Sequence, residues 1–301
     1  MRNNKICSSI IILALIFTLI FTGCSASYKD TKNENQNNSV SDSRIIENSG
    51  LMVHFLDVGQ ADSILIQTPD GKNMLIDAGN RDDGDFVVGY LKKNKVKKID
   101  VVIGTHPHED HIGAMAQVIR SFDVDKIYLP NTINNTKTFE DMLLAIKGKG
   151  LKINRAKGGM EIPFSNDAKV MVLAPNGEKY EDLNNYSVVV KITYKNNSFL
   201  FAGDAEKTSE EEMIKKGYDL HADVLKIGHH GSTSSTSQEF LKRVSPKYAV
   251  IMVGANNDYG HPHKKTLDLL KKNDIKIYRT DINGTIVMVS DGSSIKVYSE
   301  R

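Results

Sequence analysis

Residues 102–114 read VIGTHPHEDHIGA. Three of the chain's nine histidines, His106, His108 and His111, fall inside this stretch beside Asp110. Imidazole nitrogens and carboxylate oxygens are good ligands for zinc-like divalent ions, so the spacing H-x-H-x-D-H points to metal chemistry. A sharp turn from a strand into a helix can aim His106 and His108 to one side and Asp110 and His111 to the other. That would divide the four between two neighbouring ions. The plainer alternative is an exposed histidine-rich loop that binds nothing, but such a loop has little reason to follow a buried strand so closely. Further candidates come later. FLFAGDAE sets Asp204 just past an apolar run, where a carboxylate can bridge two metals; the same segment, GDAEKTSEEE, also opens a helix, so a helix cap is the competing reading. VLKIGHHGS places His229 and His230 past another apolar run, and YGHPH adds His261 and His263.

Positioning these groups requires a scaffold whose strands end at one place. LMVHFLDVG, DSILIQT and KNMLIDAG read as strands separated by turns, and KIDVVIGT as a short buried strand leading into the histidine cluster. Helical periodicity covers 84–94, 111–121 and 137–149, with a strand at VDKIYLP. The second half repeats this grammar. Strands fit 168–173, 187–194, 198–202, 222–227, 247–253, 275–279, 284–290 and 294–298. Helices fit 206–216, 236–244 and 264–273. Strands alternating with amphipathic helices argue for an α/β fold. Consecutive strands at both ends argue for two mixed sheets packed face to face with helices outside. In such folds ligands gather at the carboxyl ends of the strands.

The first residues read differently. MRNNKICSSIIILALIFTLIFTGC has Arg2 and Lys5 before an apolar run from Ile10 to Phe21, which fits a signal-peptide core and is short for a membrane span. It ends in FTGC, which resembles a bacterial lipobox whose cysteine, here Cys24, becomes lipidated after cleavage. The alternative is an uncleaved anchor; both put the folded part outside the cytoplasmic membrane. Residues 1–23 therefore read as a lipoprotein signal peptide, 24–50 as a polar Asn- and Ser-rich tether, and 51–301 as the domain. The two cysteines, Cys7 and Cys24, both precede that domain, so it has no disulfide to rely on. The chain holds 39 basic and 37 acidic residues; without Arg2 and Lys5 the two balance at 37. A neutral domain has no global attraction to nucleic acid. The lysine run LKKNKVKK (91–98) is a candidate local patch, though such a run also suits a solvated helix end.

The motifs in order, H-x-H-x-D-H, then G-D, then a late histidine, resemble the metallo-β-lactamase superfamily. HFLDVGQADSILIQTPDGKNMLIDAG, NNYSVVVKITYKNNSFLFAGDAE, DVLKIGHHGSTSS, YGHPH and YRTDINGTI are closer still to the extracellular metallo-β-lactamase-like domain of ComEC-type DNA-uptake proteins, over about residues 51–292. The resemblance implies a four-layer αβ/βα sandwich with a dinuclear metal site at one edge. It departs in three places. The competence proteins carry many membrane spans and this chain has one short apolar run. Ala61 replaces a glycine in DVGQAD. The region where the superfamily supplies a third histidine to the first metal reads LNNYSVV, leaving Asn185 or Ser187 as a weak substitute that would favour Mn²⁺ beside Zn²⁺.

On that resemblance His106 and His108 are assigned to one ion, Asp110, His111 and His230 to a second, and Asp204 to both. His230 is chosen over His229, which is kept as an alternate ligand. Asp110 also suits orienting the attacking water. Asp57, Asp62 and Asp77 suit a supporting role behind the histidines, with turn and cap residues as the competing reading. Lys226 and His261 are candidate substrate contacts. The leading function is a metal-dependent phosphodiesterase or nuclease, lipid-anchored outside the cell, with DNA a candidate substrate and separate uptake machinery a candidate partner. The alternatives are hydrolysis of another cell-surface phosphodiester and a non-catalytic DNA- or metal-binding accessory lipoprotein.

Overall fold

The computed structural model describes residues 50–301; the expected signal segment, Cys24 and the tether up to residue 49 lie outside the described residues. Among the described residues no helix is long and apolar enough to cross a membrane.

The first sheet is built from β1 (Leu51–Phe55), β2 (Ile64–Gln67), β3 (Asn73–Ile76), β4 (Lys98–Ile103), β5 (Asp123–Leu129) and β6 (Ile153–Arg155). The second holds β7 (Ala168–Ala174), β8 (Val189–Tyr194), β9 (Asn197–Phe201), β10 (Val224–Lys226), β11 (Tyr248–Ile251) and β12 (Lys276–Arg279). The chain then returns to the first sheet as β13 (Ile286–Ser290) and β14 (Ile295–Ser299). The spatial orders are β14-β13-β1-β2-β3-β4-β5-β6 and β12-β11-β10-β9-β8-β7. Each sheet is antiparallel up to one strand, β3 or β9, and parallel beyond it.

The side chains explain this layering. Ile64 and Ile66, Met74 and Ile76, Val190 and Ile192, and Phe199 and Phe201 point into one core between the sheets. The residues between them face outward and are also apolar, except Lys191, which pairs with Asp219. Leu65, Leu75 and Val102 meet α1 (Gly84–Lys93), α3 (Met115–Ser121) and α4 (Lys137–Gly148). Val189, Leu200, Leu225 and Ile251 meet α5 (Lys207–Lys215), α6 (Gln238–Val244) and α7 (Lys264–Lys272). Strands buried on both faces read as continuous apolar runs, which is why these segments lack polar alternation. The result is the expected αβ/βα sandwich.

The structure differs from expectation at one helix. The segment expected over 111–121 is two pieces, α2 (Glu109–Ile112) and α3, interrupted at Gly113 and Ala114. The Gly113 backbone passes so close to Asn80 and Arg81 that a Cβ there would lie 2.3 Å from Arg81 N. A side chain would push apart the turn carrying Asp77 and the turn carrying the histidines. The short helix α8 (Thr280–Asn283) and the strand β6, all of whose residues are exposed, lacked a periodic signal.

His54, read as structural, is buried on β1 with Nδ1 2.9 Å from the Tyr90 hydroxyl of α1. Burial pushes its imidazole down to about 4 from 6.5. The folded chain thus resists a proton that the unfolded chain accepts below pH 6.5. Stability should fall as pH drops from 6.5 to about 4, by about 3 kcal/mol, and then level off. Denaturant melts across that range should show a smaller loss for His54→Gln; equal losses would remove His54 as the cause.

Candidate functional site

The carboxyl ends of β3, β4, β9, β10 and β11 meet at one edge of the sandwich. After β3, Asp77 adopts φ 58°, a left-handed conformation that aspartate tolerates better than most residues. Its carboxylate accepts from Thr105 N at 2.8 Å, from Thr105 Oγ1 at 2.7 Å and from His111 Nδ1 at 2.8 Å. This grip ties the turn after β4 to that after β3. It also leaves Nε2 of His111 as the nitrogen that faces the other ligand candidates.

His111 Nε2 lies 3.3 Å from Asp204 Oδ2 and 3.8 Å from Asp110 Oδ2. His230 Nε2 lies 3.2 Å from Asp110 Oδ2 and 3.7 Å from Asp204 Oδ2, and its Nδ1 is 2.8 Å from the Met252 carbonyl. That carbonyl accepts a proton only, so Nδ1 donates and Nε2 presents its lone pair inward. One ligand atom from each of Asp110, His111, Asp204 and His230 lies within 4.8 Å of all the others. His106 borders this set, its Nε2 4.0 Å from Asp204 Oδ2 and 2.9 Å from His108 Nδ1. The six groups expected to hold metal therefore come from three separate segments to one place.

The choice between the adjacent histidines has a backbone cause. His229 and His230 have φ of 48° and 51°, and two left-handed non-glycine residues in succession cost about 1–2 kcal/mol each. The turn sends His230 into the four-residue set. His229 stays a quarter exposed, with Nδ1 3.2 Å from Ser234 Oγ and Nε2 3.8 Å from Asp204 Oδ2.

A divalent cation fits this donor set. His111 Nε2 and Asp204 Oδ1 are buried and have no hydrogen-bond partner. Unsatisfied buried polar atoms are costly, and both belong to residues of the cluster: His111 Nε2 faces its carboxylates, and Asp204 Oδ1 lies 3.9 Å from the Lys226 ammonium. Burial opposes charging His111, yet Asp204, Asp110 and Asp77 hold its pKa well above the ordinary value. Burial and then the charge of His111 push His106 well below its own. Asp204 is held well below the usual carboxylate range despite its burial, by His111 and His230. Cation-free, His111 and His230 both hold a proton more tightly than a free imidazole, and a cation at Nε2 must displace it. Binding should therefore release protons and weaken as pH falls. Calorimetric titration of Mn²⁺ or Zn²⁺ in two buffers of different ionisation enthalpy should give different heats; a buffer-independent heat would contradict this.

Four sequence expectations are corrected. Lys226, expected at the substrate, is fully buried; its ammonium ion-pairs with Asp62 and donates to the Gly203 carbonyl at 3.0 Å. Asn185 turns away from the cluster, its Oδ1 accepting from Ser209 N at 3.2 Å in the first turn of α5. Asp57 pairs with Arg301 at the surface. Ser187 Oγ sits behind the cluster, accepting from Asp204 N at 3.0 Å and 3.4 Å from His106 Nδ1. It positions two ligand candidates. Asp62 does lie behind the histidines, 3.6 Å from His230 Nδ1 and 3.9 Å from His111 Nδ1.

An open cleft of about 360 Å³ exposes the cluster, lined by His108, Asp110, Asn184, His230, Tyr259 and His261 among others. Sequence reasoning missed Thr105, Gln60, Asn184 and Tyr259. Gln60, Thr105, Asn184 and Tyr259 all lie inside the motifs, beside residues of stronger chemical signal. Thr105 and Asn184 carry no signal beyond their neighbours.

A family model described as the metallo-beta-lactamase superfamily matches residues 56–255. The chain belongs to that superfamily. Membership puts it on a metal-dependent hydrolase fold, and the matched span contains every residue of the cluster. The chain is 34% identical over 251 residues to ComE operon protein 3 of Bacillus subtilis (strain 168), covering 78% of this chain and 32% of that protein. It is 28% identical over 232 residues to Competence protein ComA of Neisseria gonorrhoeae, covering 76% and 31%. The resemblance to the metallo-β-lactamase-like domain of ComEC-type proteins thus holds, and the chain spans about a third of the length of these relatives. Among solved structures it is similar to the metallo-beta-lactamase fold protein YhfI from Bacillus subtilis. That match has a TM-score of 0.50 at 13% identity and covers 76% of this chain and 96% of that one. At that identity the likeness bears on the fold alone.

Proposed function

We propose that this superfamily member is a metal-dependent phosphodiesterase acting on nucleic acid outside the cytoplasmic membrane, tethered by a lipid on Cys24. The observation that carries the reading is the convergence of Asp110, His111, Asp204 and His230, with two buried atoms lacking partners, at the floor of an open cleft. His106 and His108 would hold one ion, Asp110, His111 and His230 a second, and Asp204 both. Two divalent ions, Zn or Mn, would supply an activated water and stabilise charge on the attacking and leaving oxygens.

The remaining work falls to the chain itself. Asp77 and the Met252 carbonyl keep Nε2 of His111 and His230 facing inward. Asp110 has 31% side-chain exposure and lines the cleft, which suits it to orient a water entering from there. Nucleic acid as the substrate class is supported by the resemblance to ComEC-type DNA-uptake proteins, with one relative named Competence protein ComA. The balance of 37 acidic and 37 basic residues after Arg2 and Lys5 favours a second reading, hydrolysis of a different surface phosphodiester, because nucleic-acid grooves are usually basic.

The test is an assay of bis-p-nitrophenyl phosphate and of single- and double-stranded DNA with Mn²⁺ or Zn²⁺, against chelated protein and His108→Ala. Metal-dependent cleavage that disappears in both controls is expected. DNA left intact while the small diester is cut would select the second reading. No cleavage by a metal-loaded chain would leave the accessory-protein reading.

A further inference from the structure

Beyond the cluster, one wall of the cleft consists of rings. Tyr259 lies over His261 with centroids 5.6 Å apart and planes 19° apart; His261 lies over His230 at 6.4 Å and 27°. Three nearly parallel rings thus descend from solvent to a ligand candidate. Tyr259 is 68% exposed, so its ring is open to the cleft mouth. Nothing in core packing accounts for an aromatic residue there.

The loop holding this ladder is built rigidly. The Asn257 side chain donates to the carbonyls of Gly254 and His261, at 2.9 and 2.6 Å, and accepts from the amides of Tyr259 and His261, at 3.2 and 3.0 Å. Gly254 N donates to Gln60 Oε1 at 3.1 Å, fastening the loop to the turn after β1. Pro262 rests on Gly231, where a Cβ would come within 2.5 Å, so the loop is seated on the turn that aims His230. Gln60 Nε2 lies 3.4 Å from His261 Nδ1; with that amide donating, His261 keeps its proton on Nε2. Burial, with the neighbouring histidines, lowers the His261 pKa to about 4, so the ring is neutral at pH 7.

We infer that Tyr259 is a stacking platform for a nucleobase adjoining the scissile phosphate, which makes it a specificity-determining residue of this site. The inference rests on the phosphodiester reading and adds to it that single-stranded nucleic acid is the substrate form, because a base inside a duplex has both faces covered by the stacked pairs on either side. Tyr259 and His261 lie beyond residues 56–255, the span shared with the superfamily at large.

The test uses the full-length chain in detergent, loaded with Mn²⁺. It is mixed rapidly with an oligothymidylate containing one 2-aminopurine, and with the same strand made abasic at that position. The chain has no tryptophan, so the analogue's fluorescence reads stacking without interference. Wild type should quench it, Tyr259→Phe should retain the quenching, and Tyr259→Ala should lose it. For Tyr259→Ala, KM on the base-containing strand should rise roughly 10-fold with kcat retained, and KM on the abasic strand should stay unchanged. Equal effects on both strands would make Tyr259 a support for the loop and overturn the inference, as would absence of quenching by wild type or no effect of Tyr259→Ala. If neither strand is cut but Tyr259-dependent quenching persists, the phosphodiesterase reading fails and the platform stands.

Discussion

Asp204→Ala is expected to bind no divalent metal above background and to lose roughly 1,000-fold or more of any hydrolytic rate, above the ~10–100-fold typical of residues behind the ligands. The carboxylate follows β9 and approaches four histidines of the site: His111 at 3.3 Å, His230 at 3.7 Å, His229 at 3.8 Å and His106 at 4.0 Å. Removing it deletes the acceptor common to both halves of the cluster. Its charge also holds up the pKa of His111, so the variant's His111 should titrate lower than wild type. Metal content by elemental analysis and the histidine titration by NMR check the two parts separately. Full metal content with full activity in Asp204→Ala would refute the assignment of Asp204 as the shared ligand.

Lys226→Met is expected to cost about 3–5 kcal/mol of stability, because it leaves a buried carboxylate without its cation. Lys226 and Asp62 are both buried, at 0% and 1% exposure, and Asp62 Oδ1 already lacks a hydrogen-bond partner. For a domain of this size the loss corresponds to a fall in Tm of roughly 10 °C. Combining it with Asp62→Asn should recover part of the loss, since the second change removes the stranded charge. The pair sits behind His230 and His111, so metal affinity should fall in Lys226→Met as well. A single-variant cost below about 1 kcal/mol would mean that water or a neighbouring group already compensates Asp62. A double variant as unstable as the sum of both singles would mean that the two residues act independently.

The order of strands and helices was legible because both faces of each sheet are buried. Strands such as β2, β3 and β9 then appear as uninterrupted apolar runs, and the helices between them keep their own period. The break between α2 and α3 was not legible. It arises from contact between Gly113 and the Asn80–Arg81 backbone, more than thirty residues away, which no local pattern encodes.

At the site the division is similar. H-x-H-x-D-H is a local signal, and one turn suffices to bring His106, His108, Asp110 and His111 together, so these residues and their chemistry could be read directly. Asp204 and His230 could be proposed because each follows an apolar strand, and parallel strands end on one side of a sheet. By itself, then, the sequence determined the ligand types and the layered α/β frame. The tertiary structure decided which neighbour of each pair serves. Successive left-handed residues turn His230 inward and His229 outward, and the short helical turn at 183–186 puts Asn184 in the cleft while Asn185 caps α5. It also decided that Lys226 lies in the interior: its partner, Asp62, arrives from the opposite sheet. The physical reason is the same throughout. Side-chain type and spacing are local properties, whereas orientation and burial depend on which elements pack against each other across the sandwich.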